Sequence, residues 1–384
     1  MARALVGVIA ILLIGWATRN ASAAAPPPLF IDDLELHGLE PALDKSLAHL
    51  RILPAATRFR VADTTIPVGR LIDSIHRLRT LIQANPDPEK LHRQILEHFT
   101  VWTVHGRPDD ESLSARRMLI TGYYQPVFAG SLSRHPPYLY PLYREPDDLL
   151  VREQAGQRNV LGRKENGRIV PYWSRREIEQ ANLLRGMEMV WLKDPFDAFM
   201  LHVQGSGIIR LVDGSLRGVH YARSNGREYR SIGKYLVDTG RMRLADVTMD
   251  SIRSYIDQHP DERDLILRQN DSFIFFHWRE PGPALGSLNQ VLTAGRSVAA
   301  DQQWYPPGSL LFLDSRRPIM KEGGAVGWQR MRRFVTVQDT GSALKGPRRI
   351  DVFWGTGEQA GWEAGQMKEE GVAYLLLLKE GGAP

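Results

Sequence analysis

The sequence predicts a mainly β fold with flanking helices, in which one β-rich domain is interrupted by a second β-rich insertion. Three observations predict it. Apolar residues in the first third recur at helical spacing. Short β-prone runs broken by prolines and turn pairs take over at Met118. Strand signals then resume after a helical stretch beyond Gly240. At 384 residues the chain is long enough for two domains and a substantial core. Its 43% apolar and 24% charged content is that of an ordinary globular protein and excludes a disordered one.

Taken in order, Arg3, the apolar run Ala4 to Trp16 and the A-x-A site Ala21-Ser22-Ala23 form a secretory signal peptide over 1–23. The run of 13 falls short of the roughly 20 residues a spanning helix needs, and no other stretch is a transmembrane candidate. The expected mature chain starts near Ala24, with Ala25-Pro26-Pro27-Pro28 as a loose leader. Leu71, Ile72, Ile75, Leu78, Leu81 and Ile82 mark a helix ended by Asn85-Pro86. Pro88 opens another ahead of Leu91, Ile95, Leu96 and Phe99.

Met118 to Tyr124 is a β-type run, after which Pro126, Pro136, Pro137, Pro141 and Pro146 exclude a long helix. Ser174-Arg175-Arg176-Glu177 is a capping box opening a short helix. Strands are expected at 189–192, 198–203, 207–211 and 217–221, with Asp213-Gly214 as a hairpin turn. So many short strands suggest a barrel or a sandwich. Met249, Ile252, Tyr255 and Ile256 share one helix face, and Pro260 starts a helix ending near Asn270. Strands return at 273–276, 310–313, 334–337 and 352–354. A short helix at 359–370 and a last strand at 373–378 complete the chain.

There is no cysteine. That excludes disulfides, thiolate zinc sites, a cysteine nucleophile and a lipidated N-terminal cysteine, and it fits an oxidising compartment. The net charge of +5 falls to +3 once Arg3 and Arg19 leave with the signal. The basic residues do not cluster into a nucleic-acid footprint, so no nucleic-acid partner is expected, whereas an acidic cell-wall polymer is admissible. Scattered histidines and aspartates without EF-hand spacing support no metal, and no cofactor is expected.

The segment Asp339-Thr340-Gly341-Ser342-Ala343-Leu344-Lys345-Gly346, followed by Arg349 to Gly357, is the stretch best suited to chemistry. Asp339 and Asp351 flank a glycine-bounded crossing between β-prone runs, where the backbone can turn tightly or approach a ligand. Composition alone leaves open that both are turn residues bonded to their own backbone.

Here the chain resembles the 3D domain, named for three aspartates, of the membrane-bound lytic transglycosylase A family; the three would be Asp314, Asp339 and Asp351. Thr121-Gly122-Tyr123-Tyr124, Phe199 to Gly207, Tyr229-Arg230-Ser231-Ile232-Gly233 and Leu292 to Ala299 also resemble family motifs, in the family's order. Together they cover roughly residues 118–380. The resemblance implies a double-ψ β-barrel interrupted by a smaller inserted β-barrel, with a glycan groove between them. The implied division is a signal at 1–23, the start of the outer domain at 24–125, the insert at 126–240 and the remainder at 241–384, with the 3D segment at about 305–378.

The resemblance also implies cleavage of the β-1,4 bond between N-acetylmuramic acid and N-acetylglucosamine in peptidoglycan, leaving a 1,6-anhydro-muramyl end, with Asp351 as the acid. Glycan strands are then the partner, cell-wall synthesis or degradation proteins are possible further ones, and the protein is expected to be a monomer. Family members are often outer-membrane lipoproteins. This chain has no cysteine to lipidate, so the expectation is a periplasmic protein, with peripheral outer-membrane association left open.

The chemistry suits these residues. Ordinary glycosidases need two carboxylates. Intramolecular closure needs one, which protonates the leaving oxygen and then takes the proton of the muramyl 6-hydroxyl. Ile350, Val352, Phe353 and Trp354 offer apolar surroundings for Asp351, and Trp354 is the expected tryptophan of the groove. Asp339 either orients substrate or caps a turn, and Lys345 either contacts substrate or lies solvated in its loop. Asp314-Ser315-Arg316-Arg317-Pro318 reads as a strand end and turn. Gln204, Gly205 and Ser206 suit amino-sugar amides and hydroxyls, or form a polar bulge. Thr121 and Tyr123 are further candidates for substrate contact, with Tyr123 and Tyr124 divided between core and groove by strand alternation. His202 is expected to be a packing residue. A non-catalytic glycan-binding protein and a hydrolytic muramidase remain the rival readings.

Overall fold

A computed structural model describes residues 30–61, 64–84, 87–103, 117–152, 160–322, 325–341 and 343–381. The expected signal peptide, the leader to Pro28 and the Asn85-Pro86 stop lie outside the described residues. No helix among the described residues is long and apolar enough to cross a membrane.

Helix α1 (Leu39–Ile52) buries Leu39, Leu43, Leu47 and Leu50 along one stripe. A short hairpin, β1 (Arg58–Val61) and β2 (Thr64–Pro67), leads to α2 (Val68–Ala84), which buries Leu71, Ile75, Leu78 and Leu81. Helix α3 (Pro88–His98) starts where expected, because Asp87 accepts from the Lys90 amide at 2.7 Å and Pro88 occupies its first turn. Strand β3 (Phe99–Thr103) follows directly.

Strands β4 (Met118–Gln125), β5 (Val127–Ser131) and β6 (Tyr140–Tyr143) precede a small three-stranded sheet of β7 (Leu150–Arg152), β8 (Val160–Glu165) and β9 (Arg168–Pro171). Next come α4 (Arg175–Gln180), β10 (Glu188–Leu192), α5 (Pro195–Gln204), β11 (Ser206–Leu211) and β12 (Leu216–Ser224). Helices α6 (Ile232–Asp238), α7 (Met249–Gln258) and α8 (Pro260–Leu267) lead into β13 (Ile274–Arg279). The C-terminal part holds β14 (Ser297–Ala300), β15 (Leu310–Met320), β16 (Val326–Asp339), β17 (Arg349–Thr356), α9 (Glu358–Gln366) and β18 (Lys368–Leu378).

Two closed rings of strands result. In the larger, β15, β16, β14, β17, β4 and β18 pair in that order, and β15 pairs back onto β18 from Leu311↔Leu375 to Asp314↔Val372. Strand β3 adds to the outside of β18. In the smaller, the order is β13, β12, β11, β5, β10 and β6, closed by a bridge between Arg144 and Phe276. One continuous core fills the larger ring and the space under α1 to α3. The insert holds a barrel core, a helical core under α5 to α8 and a third cluster around Tyr172, Phe273 and Phe275. The N-terminal segment is tied to the large ring by two buried pairs: Arg296 grips both Asp32 oxygens at 2.6 and 2.8 Å, and Arg333 grips Asp33 at 2.9 and 2.6 Å.

Several expectations need correction. Residues 198–203 lie in helix α5, not a strand. Asp194 accepts from the Phe196 amide at 2.7 Å, Pro195 sits at the first helical position, and an all-apolar run carries no period to separate helix from strand. Asp314 to Pro318 is no turn, since β15 continues to Met320 against β16, with Asp314 paired to Arg330 at 2.9 Å. The helix expected at 359–370 ends at Gln366, and Glu370 already pairs in β18. Strand β13 completes the smaller ring, so that sheet extends to Arg279, past the expected boundary at 240. The capping box at Ser174 and the turn at Asp213-Gly214 are as expected.

Candidate active site

Parallel and antiparallel registers align one row of residues across the large ring. Asp339 of β16 pairs with Ala299 of β14, Ala299 with Asp351 of β17, Asp351 with Thr121 of β4, and Thr121 with Lys368 of β18. Neighbouring strands lie about 4.8 Å apart, so the two aspartates, two strands apart, have their Cα atoms roughly 10 Å from each other.

Asp351 lies on the wall of a cleft of about 630 Å³. The large ring lines it with β4, β17 and α9, and the insert with α5 and the chain from Tyr229 to Arg253. The carboxylate is 16% exposed. It accepts from the Thr121 hydroxyl at Oδ1, from Arg349 Nε at Oδ1 (3.1 Å) and from Arg349 Nη2 at Oδ2 (3.2 Å). Arg349 Nη2 also reaches Thr121 Oγ1 at 3.3 Å. Tyr229 approaches from the insert. Burial raises its phenol above the usual range, the nearby Arg349 lowers it, and Asp351 raises it again.

Asp339 sits differently. Its Oδ1 accepts from the backbone amides of Ser287 and Thr340, each at 2.8 Å. Burial pushes its carboxyl up to about 6, against the pull of those amides. The buried Tyr123 hydroxyl is near enough to feel Asp339 but makes no aligned hydrogen bond. Its phenol is held well above its usual range, first by burial and then by the charges of Asp339 and Asp351.

Of the residues expected from sequence, Thr121, Tyr123, Gln204 and Asp351 line the cleft together, whereas Gly205, Ser206, Asp339 and Lys345 do not. Gln204 Oε1 accepts from the Tyr124 amide at 3.1 Å, joining α5 to β4. Gly205 ends α5 in the left-handed conformation at φ 78°, which favours glycine, and Ser206 begins β11. Lys345 is exposed in the loop before β17. Asp314 lies in the β15 arm, paired with Arg330.

Trp354 is 8% exposed and belongs to the large core, not to the groove. Its ring packs over Gly122, where a Cβ would fall 2.6 Å from Trp354 Nε1 and 2.7 Å from Ala364 Cα; only glycine fits there. Tyr123 and Tyr124 are both half-buried and both line the cleft, instead of dividing between core and groove. Tyr123 packs on Phe353, and Tyr124 against both the large core and the helical core of the insert. His202 is a buried packing residue. Its Nδ1 accepts from the Ile274 amide at 2.9 Å, and burial holds its imidazole well below the usual range.

Arg349 and Tyr229 were absent from the expected site. Arg349 had a signal, since residues two apart in a strand share a face. Tyr229 meets Asp351 only through the fold. Among the described residues, no group of three or more His, Cys, Asp or Glu is placed to hold a metal ion. The arrangement places the Asp351 carboxylate, held by Thr121 and Arg349, on the wall of a polar and aromatic cleft that Asp250 and Glu358 also line.

Comparison with known proteins adds the following. Residues 119–277 match the MltA specific insert domain and residues 296–377 the 3D domain. The membrane-bound lytic murein transglycosylase A of Escherichia coli K12 is 33% identical over 263 residues, 68% of this chain and 66% of that protein, just under two thirds of its length. The structure of the Burkholderia pseudomallei lytic transglycosylase LtgG is 33% identical, with a TM-score of 0.51, over 90% of this chain and 91% of that one. Escherichia coli MltA with bound chitohexaose is 27% identical, with a TM-score of 0.66, over 89% of each chain.

Proposed function

Since the chain belongs to the membrane-bound lytic murein transglycosylase A family, we propose that it cleaves peptidoglycan between N-acetylmuramic acid and N-acetylglucosamine. The product is a 1,6-anhydro-muramyl end, and Asp351 serves as both acid and base. One observation carries this reading: Asp351 is the carboxylate that the row of aligned residues brings to the cleft wall, held by Thr121 and Arg349.

Protonated Asp351 gives its proton to the glycosidic oxygen as the bond from that oxygen to the muramyl C1 breaks. The muramyl O6 then bonds to C1, and its proton passes to the Asp351 carboxylate, restoring the acid. Attack from within the sugar gains from proximity and recruits no water. Thr121 orients the carboxylate. Tyr123 and Gln204 face the glycan, whereas Gly205, Ser206, Asp339 and Lys345 do not line the cleft. The bound chitohexaose of the Escherichia coli relative supports a glycan in this groove.

Hydrolysis is the second reading, favoured by Asp339, whose carboxyl burial pushes up to about 6, as the second carboxylate a water-activating pair requires. Mass spectrometry of digested sacculi separates the two. Anhydro-muropeptides are expected; reducing muramyl ends would establish hydrolysis, and no product would leave a binding protein. The signal pattern over 1–23 supports a periplasmic location for this activity. Recovery only in detergent extracts, with residues 1–23 attached, would overturn that placement.

A further inference from the structure

Every group that touches Asp351 donates to it. Arg349 supplies Nε and Nη2 to its two oxygens, and Thr121 supplies a hydroxyl. In this arrangement the side chain is an acceptor only. A general acid must instead carry a hydrogen on one oxygen and aim it at the leaving group. A guanidinium held on both oxygens opposes that proton electrostatically, so chemistry is favoured once it leaves one of them. Withdrawing it without a replacement anion would strand a cation against a partly dry wall, which is costly.

The cleft's other carboxylates, Asp250 and Glu358, make no ion pair with Arg349, and Asp250 accepts from Gln366 at 2.8 Å. The other cations on its wall are engaged: Arg253 pairs with Asp194 and Asp197, and Lys368 Nζ donates to the Leu244 carbonyl at 2.9 Å. Arg349 is 33% exposed on its side chain and lines the cleft, so an incoming group can reach it. A planar guanidinium favours a carboxylate, which it grips with two parallel donors.

We propose that Arg349 is a specificity-determining residue that trades Asp351 for a carboxylate on the muramyl side chain of the glycan. This rests on the reading of the cleft as a peptidoglycan site. The carboxylate is either the lactyl group of a peptide-free strand or one belonging to the stem peptide. Binding of the correct anion frees Asp351 to carry its proton, so a neutral glycan occupies the groove without releasing the acid.

The test uses the mature chain and three sets of glycan strands: peptide-free with free lactyl carboxylates, the same strands with those carboxylates converted to methylamides, and strands bearing stem peptides. One charge-assisted contact predicts a kcat/KM about tenfold higher for an anionic strand than for the methylamide. Arg349→Gln should remove that ratio, and Arg349→Lys should keep part of it. Whichever anionic strand carries the preference identifies the source. Equal kcat/KM values in the wild type, or a preference that survives Arg349→Gln, would overturn the proposal. Affinities for the same strands, taken by calorimetry on Asp351→Asn, read the preference without turnover. A wild type that releases no anhydro ends therefore overturns the proposed activity while leaving this question separately decided.

Discussion

The two aspartates on one row of the large ring show how the same residue type is set to different tasks. At the Asp351 end every partner is a side chain, and the carboxylate stands on the cleft wall. At the Asp339 end the resolved partners are backbone amides, and the residue is off the cleft. Side chains exchange partners by rotamer changes in picoseconds to nanoseconds, whereas strand and turn amides move only with the backbone. One end of the row can change partners during a reaction; the other is fixed. Titration alone would choose Asp339, the carboxyl pushed up to about 6. Access and exchangeable partners point to Asp351 as the acid.

The strongest way to break this contrast is to remove the titrating proton at each end. Asp351→Asn keeps the shape and should lower release of anhydro-muropeptides by about 10²–10⁴-fold, the usual worth of general acid–base catalysis. Circular dichroism should show an intact fold. Asp339→Asn should lower turnover far less, because an amide oxygen still accepts from Ser287 and Thr340. If Asp339→Asn is the inactive one and Asp351→Asn is not, the assignment reverses.

A second measurement sharpens the contrast through stability. The Asp339 carboxyl is raised in the folded state from 3.8 to about 6. The folded protein therefore holds that proton more tightly than the unfolded chain. The stability this confers is fully present below about pH 3.8 and is lost as pH rises through about 6. At about 1.4 kcal/mol per pKa unit the loss amounts to at most about 2–3 kcal/mol. Asp339→Asn has no such proton, so urea unfolding of the two proteins should diverge in the variant's favour by that amount between pH 4 and pH 7. A difference independent of pH would show that burial does not strain the Asp339 carboxylate.

Much of this architecture was legible in the residues, and the failures have physical causes. The stripe Leu71, Ile75, Leu78 identified α2 because only one of its faces is buried. The run Ala198 to Val203 misled because five consecutive residues of α5, Ala198 to His202, are buried, which erases the period. The charged residues Arg316 and Arg317 hid the outer half of β15, which pairs with β16 beyond the barrel and faces solvent. Asp351 and Thr121 were legible as a motif, but the contact between them depends on β4 and β17 pairing in parallel across 230 residues. Trp354 was misplaced because nothing in the sequence says which side of β17 faces Gly122.

The smallest expected effect tests whether Gln204 belongs with the exchangeable side chains or with the fixed frame. Its Oε1 accepts from the Tyr124 amide, which fixes one half of the group as structure. The other half, the amide NH₂, is the part free to meet an N-acetyl carbonyl in the cleft it lines. Gln204→Ala removes both halves. It should cost about 1 kcal/mol of stability through the lost hydrogen bond, and weaken chitohexaose binding as well. Gln204→Glu keeps an oxygen for the Tyr124 amide and replaces the donor with a carboxylate oxygen. It should therefore retain the wild-type urea midpoint while lowering calorimetric affinity for chitohexaose by about fivefold, the worth of one neutral hydrogen bond. If Gln204→Glu binds the oligosaccharide as tightly as the wild type, Gln204 holds α5 to β4 and does no more, and the glycan is read by other residues of the wall.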